Sequence, residues 1–116
     1  MSFKKYDIVL LDLDPPKGHA QAGVRPAVIL QSNNFARAST TIIVPLTTSN
    51  KKAYPSQFWI EPTKGNGLLL NSCFLGTQIT TIDLEFIIKK IGYLEEKYYP
   101  QVKEALAISL DWENDF

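Results

Sequence analysis

Arg25 stands where a polar, glycine-bounded run gives way to an aliphatic one, in the stretch "KGHAQAGVRPAVIL" from Lys17 to Leu30. Its guanidinium carries a permanent charge, and its planar fork suits the oxygens of a phosphate. His19, the only histidine in the chain, lies six positions earlier. It is the side chain whose unperturbed pKa allows proton transfer near neutrality. Further along, "VPLTTSNKK" ends an aliphatic run in Thr47 and Thr48 and continues to Lys51 and Lys52, adding hydroxyl donors and two cations. An arginine, a histidine, hydroxyls and lysines, without an obvious cluster of metal ligands, suit metal-free chemistry at a phosphodiester. The plainer readings are a surface ion pair for Arg25 and a solvated loop residue for His19.

Other constellations are weaker. Gly18 to Gly23 has the spacing G-x-x-x-x-G, but a phosphate loop needs Lys and then Ser or Thr next, and a helix; Val24, Arg25 and an apolar run follow instead. Asp12 and Asp14 alternate onto one face of a strand and have oxygens for a hard cation, yet no third carboxylate lies nearby in sequence. Cys73, inside "SCFLG", reads as a small core side chain.

Short strands are the elements that must hold these groups. "YDIVLLDLD" from Tyr6 to Asp14 is predicted as a first strand, stopped by Pro15-Pro16; "PAVILQ" as a second; and "TTIIVPLTT" from Thr40 to Thr48 as a third, with Pro45 at an edge or bulge. "QFWIEP" and "LLLNSCFLGTQITTI" continue the β pattern around a turn at "TKGNG". "DLEFIIKK" reads as one or two helical turns with Asp83 as N-cap, before a short strand "KKIGYL". Helical character is clear in "YPQVKEALAISL", where Val102, Leu106, Ser109 and Leu110 fall near one face. The expected fold is mainly β, in the α+β class: a small, strongly bent antiparallel sheet or barrel with short helices and a C-terminal α-helix.

Composition sets the outer limits. A chain of 116 residues with 45% hydrophobic content is expected to be one domain over residues 1–116. Twelve basic residues balance twelve acidic ones, so nucleic-acid binding has to come from a local patch rather than a global field. The single cysteine excludes an intrachain disulfide, the start "MSFKKYDIVLLDLDPPKG" does not read as a secretory signal, and no apolar run is long enough for a membrane helix. A cytoplasmic protein is expected.

"YDIVLLDLDPPKGHAQAGVRPAVIL" resembles the opening of the MazF/PemK family of toxin endoribonucleases: an acidic strand, Asp-x-x-Pro-x-x-Gly, then Gln-x-Gly-x-Arg-Pro and an aliphatic strand. "IIVPLTTSNKKAYP", "CFLGTQITTID" and "KKIGYLEEKYYPQVKEALAISL" resemble its third strand and following loop, its strand ending in Thr-Ile-Asp, and its last strand and closing helix. The likeness runs in order from Tyr6 to about Leu110.

The resemblance implies an SH3-like barrel that pairs into homodimers. It further implies cleavage of single-stranded RNA at specific sequences, with no metal or other cofactor, by attack of a ribose 2′-hydroxyl that leaves a 2′,3′-cyclic phosphate and a 5′-hydroxyl. On this likeness Arg25 matches the arginine on the scissile phosphate and Thr47 the threonine that also holds it, with Thr48 as the alternative in the doubled pair. His19 matches a histidine of the branch that resembles the plasmid toxin Kid. Asp83 matches an aspartate some members use as a proton acceptor, and reads equally well as an N-cap. Lys17, Gln21, Lys51, Lys52, Gln78 and Thr80 complete the implied RNA contacts. Ala20 and Thr80 replace a glutamate and an arginine common in relatives. The implied partners are RNA and a cognate antitoxin, with DNA reached only through the antitoxin and no membrane. Two other functions fit the same residues: a non-cleaving binder on this barrel, such as a CcdB-like gyrase poison or an RNA-binding protein, and a peptide-binding module using Trp59, Tyr98 and Tyr99.

Overall fold

Strand formation follows the β-branched and aliphatic runs closely. In the computed structural model, which describes residues 2–13, 23–49 and 54–112, the strands are β1 Asp7–Asp12, β2 Val24–Ile29, β3 Thr40–Thr47, β4 Gln57–Ile60, β5 Ser72–Leu75, β6 Thr80–Asp83 and β7 Ile87–Tyr93, followed by helix α1, Tyr99–Leu110. Every pairing among them is antiparallel. The order across the sheet is β4-β5-β3-β2-β1-β7, with β6 added beside β3. The mainly β class with a C-terminal helix is as expected, with one correction. The end strands β4 and β7 do not pair with each other, so the sheet is strongly bent but is not closed into a barrel.

The bend is built into β3. One of its edges pairs with β2; the other is divided, with Thr40–Ile43 pairing to β6 and Leu46–Thr47 to β5. Pro45 falls in the gap between these two pairings, where its missing N–H deprives neither ladder of a donor. A 3-10 turn at Gly76–Gln78 fills the corresponding gap between β5 and β6 and interrupts the continuous strand expected there. Close packing fixes the turn: a Cβ on Gly76 would stand 2.5 Å from the Ser56 carbonyl oxygen and 2.8 Å from Ser109 Oγ of α1.

Alternation along the central strands explains why both faces of the sheet are buried. Ile8, Val28, Val44 and Leu46 face one cluster, completed by Phe58, Ile60 and Phe74 and by Tyr98, Val102 and Ala105 at the helix. Val9, Leu11, Ala27, Ile29 and Ile43 face a second, covered by Ile82, Ile87 and partly buried Phe3, Leu84 and Phe86. Such two-sided burial is why β1 reads as a nearly unbroken aliphatic run. Each fully buried aliphatic or aromatic side chain contributes about 1.5–3 kcal/mol of transfer free energy.

Local differences from expectation have local causes. Tyr6 is outside β1 because its φ is 75°, a left-handed conformation, while its ring stacks on Tyr99 with centroids 3.7 Å apart. Only Leu84–Phe86 form a helical turn; Asp83 holds the N-cap position but its side chain makes no capping hydrogen bond. On α1, Val102 and Ala105 are the buried positions, whereas Leu110 is exposed. Tyr98, which the peptide-binding alternative needs exposed, is buried, and its hydroxyl oxygen accepts a hydrogen bond from the Glu61 backbone N–H.

The turn from Glu61 to Gly67 is locked to the end of β7 by a polar network. Fully buried Asn66 donates through Nδ2 to the Glu61 carbonyl and to Glu95 Oε1, and Thr63 Oγ1 donates to Glu95 Oε2 at 2.6 Å. Gly67 (φ 71°) packs so tightly that a Cβ there would lie 2.0 Å from the Ile91 carbonyl oxygen. Burial pushes the Glu95 carboxyl up, but hydrogen bonds from Thr63, its own backbone N–H and Asn66, with the Lys97 charge, outweigh this and hold it below the ordinary value of 4.5. A carboxylate whose folded pKa is depressed contributes stability above its unfolded value and loses it as pH falls through the folded one. Wild type is therefore expected to lose more stability than Glu95→Gln on acidification below about pH 4.5. Denaturant midpoints of the two proteins at neutral and acid pH check this, and parallel losses would contradict it.

Candidate phosphate site

The register of β2 and β3 brings the first two site residues together. Ile29 lies opposite Ile43, Val28 opposite Val44 and Ala27 opposite Pro45. The pairing stops there, two residues short of Arg25 on β2 and two short of Thr47 on β3. Alternation puts both on the face shared by Ala27, Ile29 and Ile43, and away from Val28 and Leu46. On its other side Arg25 pairs with Leu11 of β1. It is half-buried.

Thr47 is held more tightly. It is buried, it pairs with Cys73 of β5, and its Oγ1 accepts from the Ser49 N–H at 3.3 Å and lies 3.1 Å from Ser49 Oγ. This local side-chain turn fixes the rotamer. Between the two hydroxyls either can be the donor, so Thr47 and Ser49 form one small hydroxyl pair at the end of β3. Ser49 was not singled out from the sequence; the signal was a serine two positions after a strand-ending threonine.

Thr48 is exposed and turns to the other side, where with Leu10, Pro26, Leu68, Leu69, Lys89 and neighbours it lines an apolar groove of about 370 Å³. Of the doubled threonines, Thr47 is thus the one that shares a face with Arg25. Thr80 lies opposite Ile43 and so on the Arg25 face, exposed. Gln78 sits in the 3-10 turn between β5 and β6, and its Oε1 is buried without a hydrogen-bond partner among the described residues. Asp83 is not brought into this group. It pairs with Thr40, seven residues along β3 from Thr47, about 23 Å at the usual strand rise, and alternation places it on the opposite face.

His19, Lys17, Gln21, Lys51 and Lys52 lie outside the described residues, as do Asp14 and Ala20. Asp12 is exposed at the end of β1, opposite Val24. Among the described residues no group of three His, Cys, Asp or Glu side chains could hold a metal ion. Cys73 is fully buried in β5, as its apolar context suggested. No described helix is long and apolar enough to cross a membrane.

The solved structures similar to this one share the whole fold. MazF from Deinococcus radiodurans superposes with a TM-score of 0.80 at 19% identity, covering 96% of this chain and 98% of its own. A mycobacterial endoribonuclease solved in complex with its cognate antitoxin gives 0.79 at 18% identity, covering 98% and 100%. Among curated proteins, "Endoribonuclease MazF" of Staphylococcus saprophyticus is 37% identical over 109 residues, 92% of this chain and 90% of its own. The family described as "PemK-like, MazF-like toxin of type II toxin-antitoxin system" matches residues 4–110. With that match running through nearly the whole sheet and helix, the chain belongs to the PemK-like, MazF-like toxin family of type II toxin–antitoxin systems.

Proposed function

We propose that this chain, acting as one domain over residues 1–116, is a sequence-specific endoribonuclease toxin that cuts single-stranded RNA without a metal ion. The observation that carries the chemistry is the common face of Arg25 and Thr47 at the ends of β2 and β3; the activity named for the 37% identical relative supports the same reading. In the reaction the 2′-oxygen bonds to phosphorus, the bond from phosphorus to the 5′-oxygen breaks, and the 2′-proton leaves as the 5′-oxygen gains one. Negative charge grows on the phosphoryl oxygens. A preorganised guanidinium and a fixed hydroxyl donor stabilise that charge more than they stabilise the ground state.

Thr47 is the hydroxyl donor in this scheme and His19 carries a proton. Lys17, Lys51 and Lys52 supply the local positive charge, and Gln21, Thr48, Gln78 and Thr80 contact the strand. Asp83, separated from the other groups along β3, is left out of the phosphate site. Incubation with a long unstructured RNA in excess EDTA, followed by end mapping, is the direct test. Discrete cuts bearing 2′,3′-cyclic phosphate and 5′-hydroxyl ends are expected; RNA that is bound but uncut would leave a non-cleaving binder instead.

A homodimer in the cytoplasm, restrained by a cognate antitoxin whose acidic segment competes with RNA for the positive face, completes the proposal. A mycobacterial relative has been solved with its cognate antitoxin. Contact with DNA would come only through that antitoxin. Sedimentation of the toxin alone should give a dimer mass, and a concentration-independent monomer would contradict it.

A further inference from the structure

Asn66 and Gly67 form the only Asn-Gly step in the chain, and both residues are fixed by what surrounds them. Gly67 has a φ of 71°, and a Cβ there would lie 2.0 Å from the Ile91 carbonyl oxygen. Asn66 is fully buried, and its side chain uses all of its hydrogen-bonding capacity. Oδ1 accepts from the Thr63 and Leu68 N–H groups, each at 3.0 Å, while Nδ2 donates to the Glu61 carbonyl at 2.8 Å and to Glu95 Oε1 at 3.2 Å. No other side chain of this length offers two donors and two acceptors, and only glycine fits the next position. A labile dipeptide is therefore built into the turn.

Asparagine is thermally labile, and most so before glycine, whose missing Cβ leaves the backbone nitrogen unhindered. The Gly67 nitrogen attacks Asn66 Cγ, the bond from Cγ to Nδ2 breaks, and the Gly67 proton leaves with the amide as ammonia. Water then opens the resulting cyclic imide at either carbonyl, giving aspartate or isoaspartate. In the fold both nucleophile and leaving group are held: the Gly67 N–H donates to the Thr63 carbonyl at 3.1 Å, and Nδ2 has its two partners. The product would be misplaced as well. A carboxylate oxygen in place of Nδ2 would face two acceptors, the Glu61 carbonyl and the Glu95 carboxylate, with no proton to share. Isoaspartate would lengthen the backbone by a methylene where a Cβ on Gly92 would already stand 2.4 Å from backbone atoms of Gly65 and Asn66.

We infer that Asn66–Gly67 is a latent deamidation site, closed by folding, and that a chain modified there while unfolded does not regain the native turn. The toxin thus carries a covalent limit on how long it can stay unfolded and still become active. The test holds the full-length protein in guanidinium chloride at mildly alkaline pH beside an identical sample folded in buffer, and maps peptides from both by mass. Unfolded chains should convert at Asn66 faster than at the other asparagines. Folded chains should convert there at least about 10³-fold more slowly, the low end of the folded-to-unfolded ratio of a small domain. On dilution from denaturant, the fraction that elutes as native protein should carry intact Asn66. Asn66→Asp, which makes the aspartate product directly, should lower the folding equilibrium constant by at least about 10²-fold, read from denaturant unfolding. Equal conversion in the folded and unfolded samples would overturn the proposal. So would native protein recovered with aspartate or isoaspartate at position 66, or an Asn66→Asp protein as stable as wild type.

Discussion

Arg25→Ala is expected to lose RNA cleavage by at least about 10²- to 10³-fold, the usual cost of deleting a preorganised donor at a developing oxyanion. The fold should survive. Arg25 belongs to neither buried cluster and sits one residue inside the start of β2, so its truncation opens no cavity in the core. Arg25→Lys should also be poor, because an ammonium presents a point charge where the guanidinium offers two parallel donors. Single-turnover cleavage beside a thermal melt of each variant checks both statements. A folded Arg25→Ala protein with wild-type rates would end the assignment, and full activity in the lysine variant would reduce the role to charge alone.

His19→Ala is expected to lose about 10²- to 10⁴-fold in rate, the range of general acid or base catalysis. Arg25 holds its proton too firmly to donate it near neutrality. Asp83, the other titratable group the family likeness suggested, pairs with Thr40 at the far end of β3 from Thr47. That leaves the histidine of the polar run before Arg25 as the group able to change charge near neutral pH. Wild-type cleavage should then titrate in the histidine range, shifted upward if phosphate lies close, and His19→Ala should flatten that limb. Single-turnover rates from about pH 5 to 9 measure it, and superimposable profiles for the two proteins would remove His19 from proton transfer.

The common face of Arg25 and Thr47 was half legible in the chain. Residue chemistry pointed to both, and the doubled threonine left the choice open until the β2–β3 register separated Thr47 from Thr48. The distance of Asp83 from Thr47 was not legible, because it depends on where β6 meets β3. Nor was the break between β5 and β6. "SCFLGTQITTID" is β-prone throughout, and what folds Gly76–Gln78 into a turn is packing against Ser56 and α1, distant in sequence. Tyr98 misled for the same reason: its surroundings in "EEKYYPQ" are polar, yet a 3-10 turn swings it into the core. Local periodicity placed β1 to β4 to within about two residues, whereas the run expected from Leu68 pairs only from Ser72. Only contacts between distant segments decided the bend, the open sheet and the burial of single aromatics.

The divided edge of β3 has a consequence for the order of events on the ribosome. When synthesis has reached Thr47, β3 has β1 and β2 on one side and nothing on the other, because both segments that cover its second edge come later in the chain. The helix that closes the inner cluster comes last. At about 5–20 residues per second, several seconds of translation separate the making of β2 and β3 from the fold that holds them in place. Nascent chains that stop short of α1 should accordingly be inert, and a newly made toxin reaches its active shape only after that helix has been made.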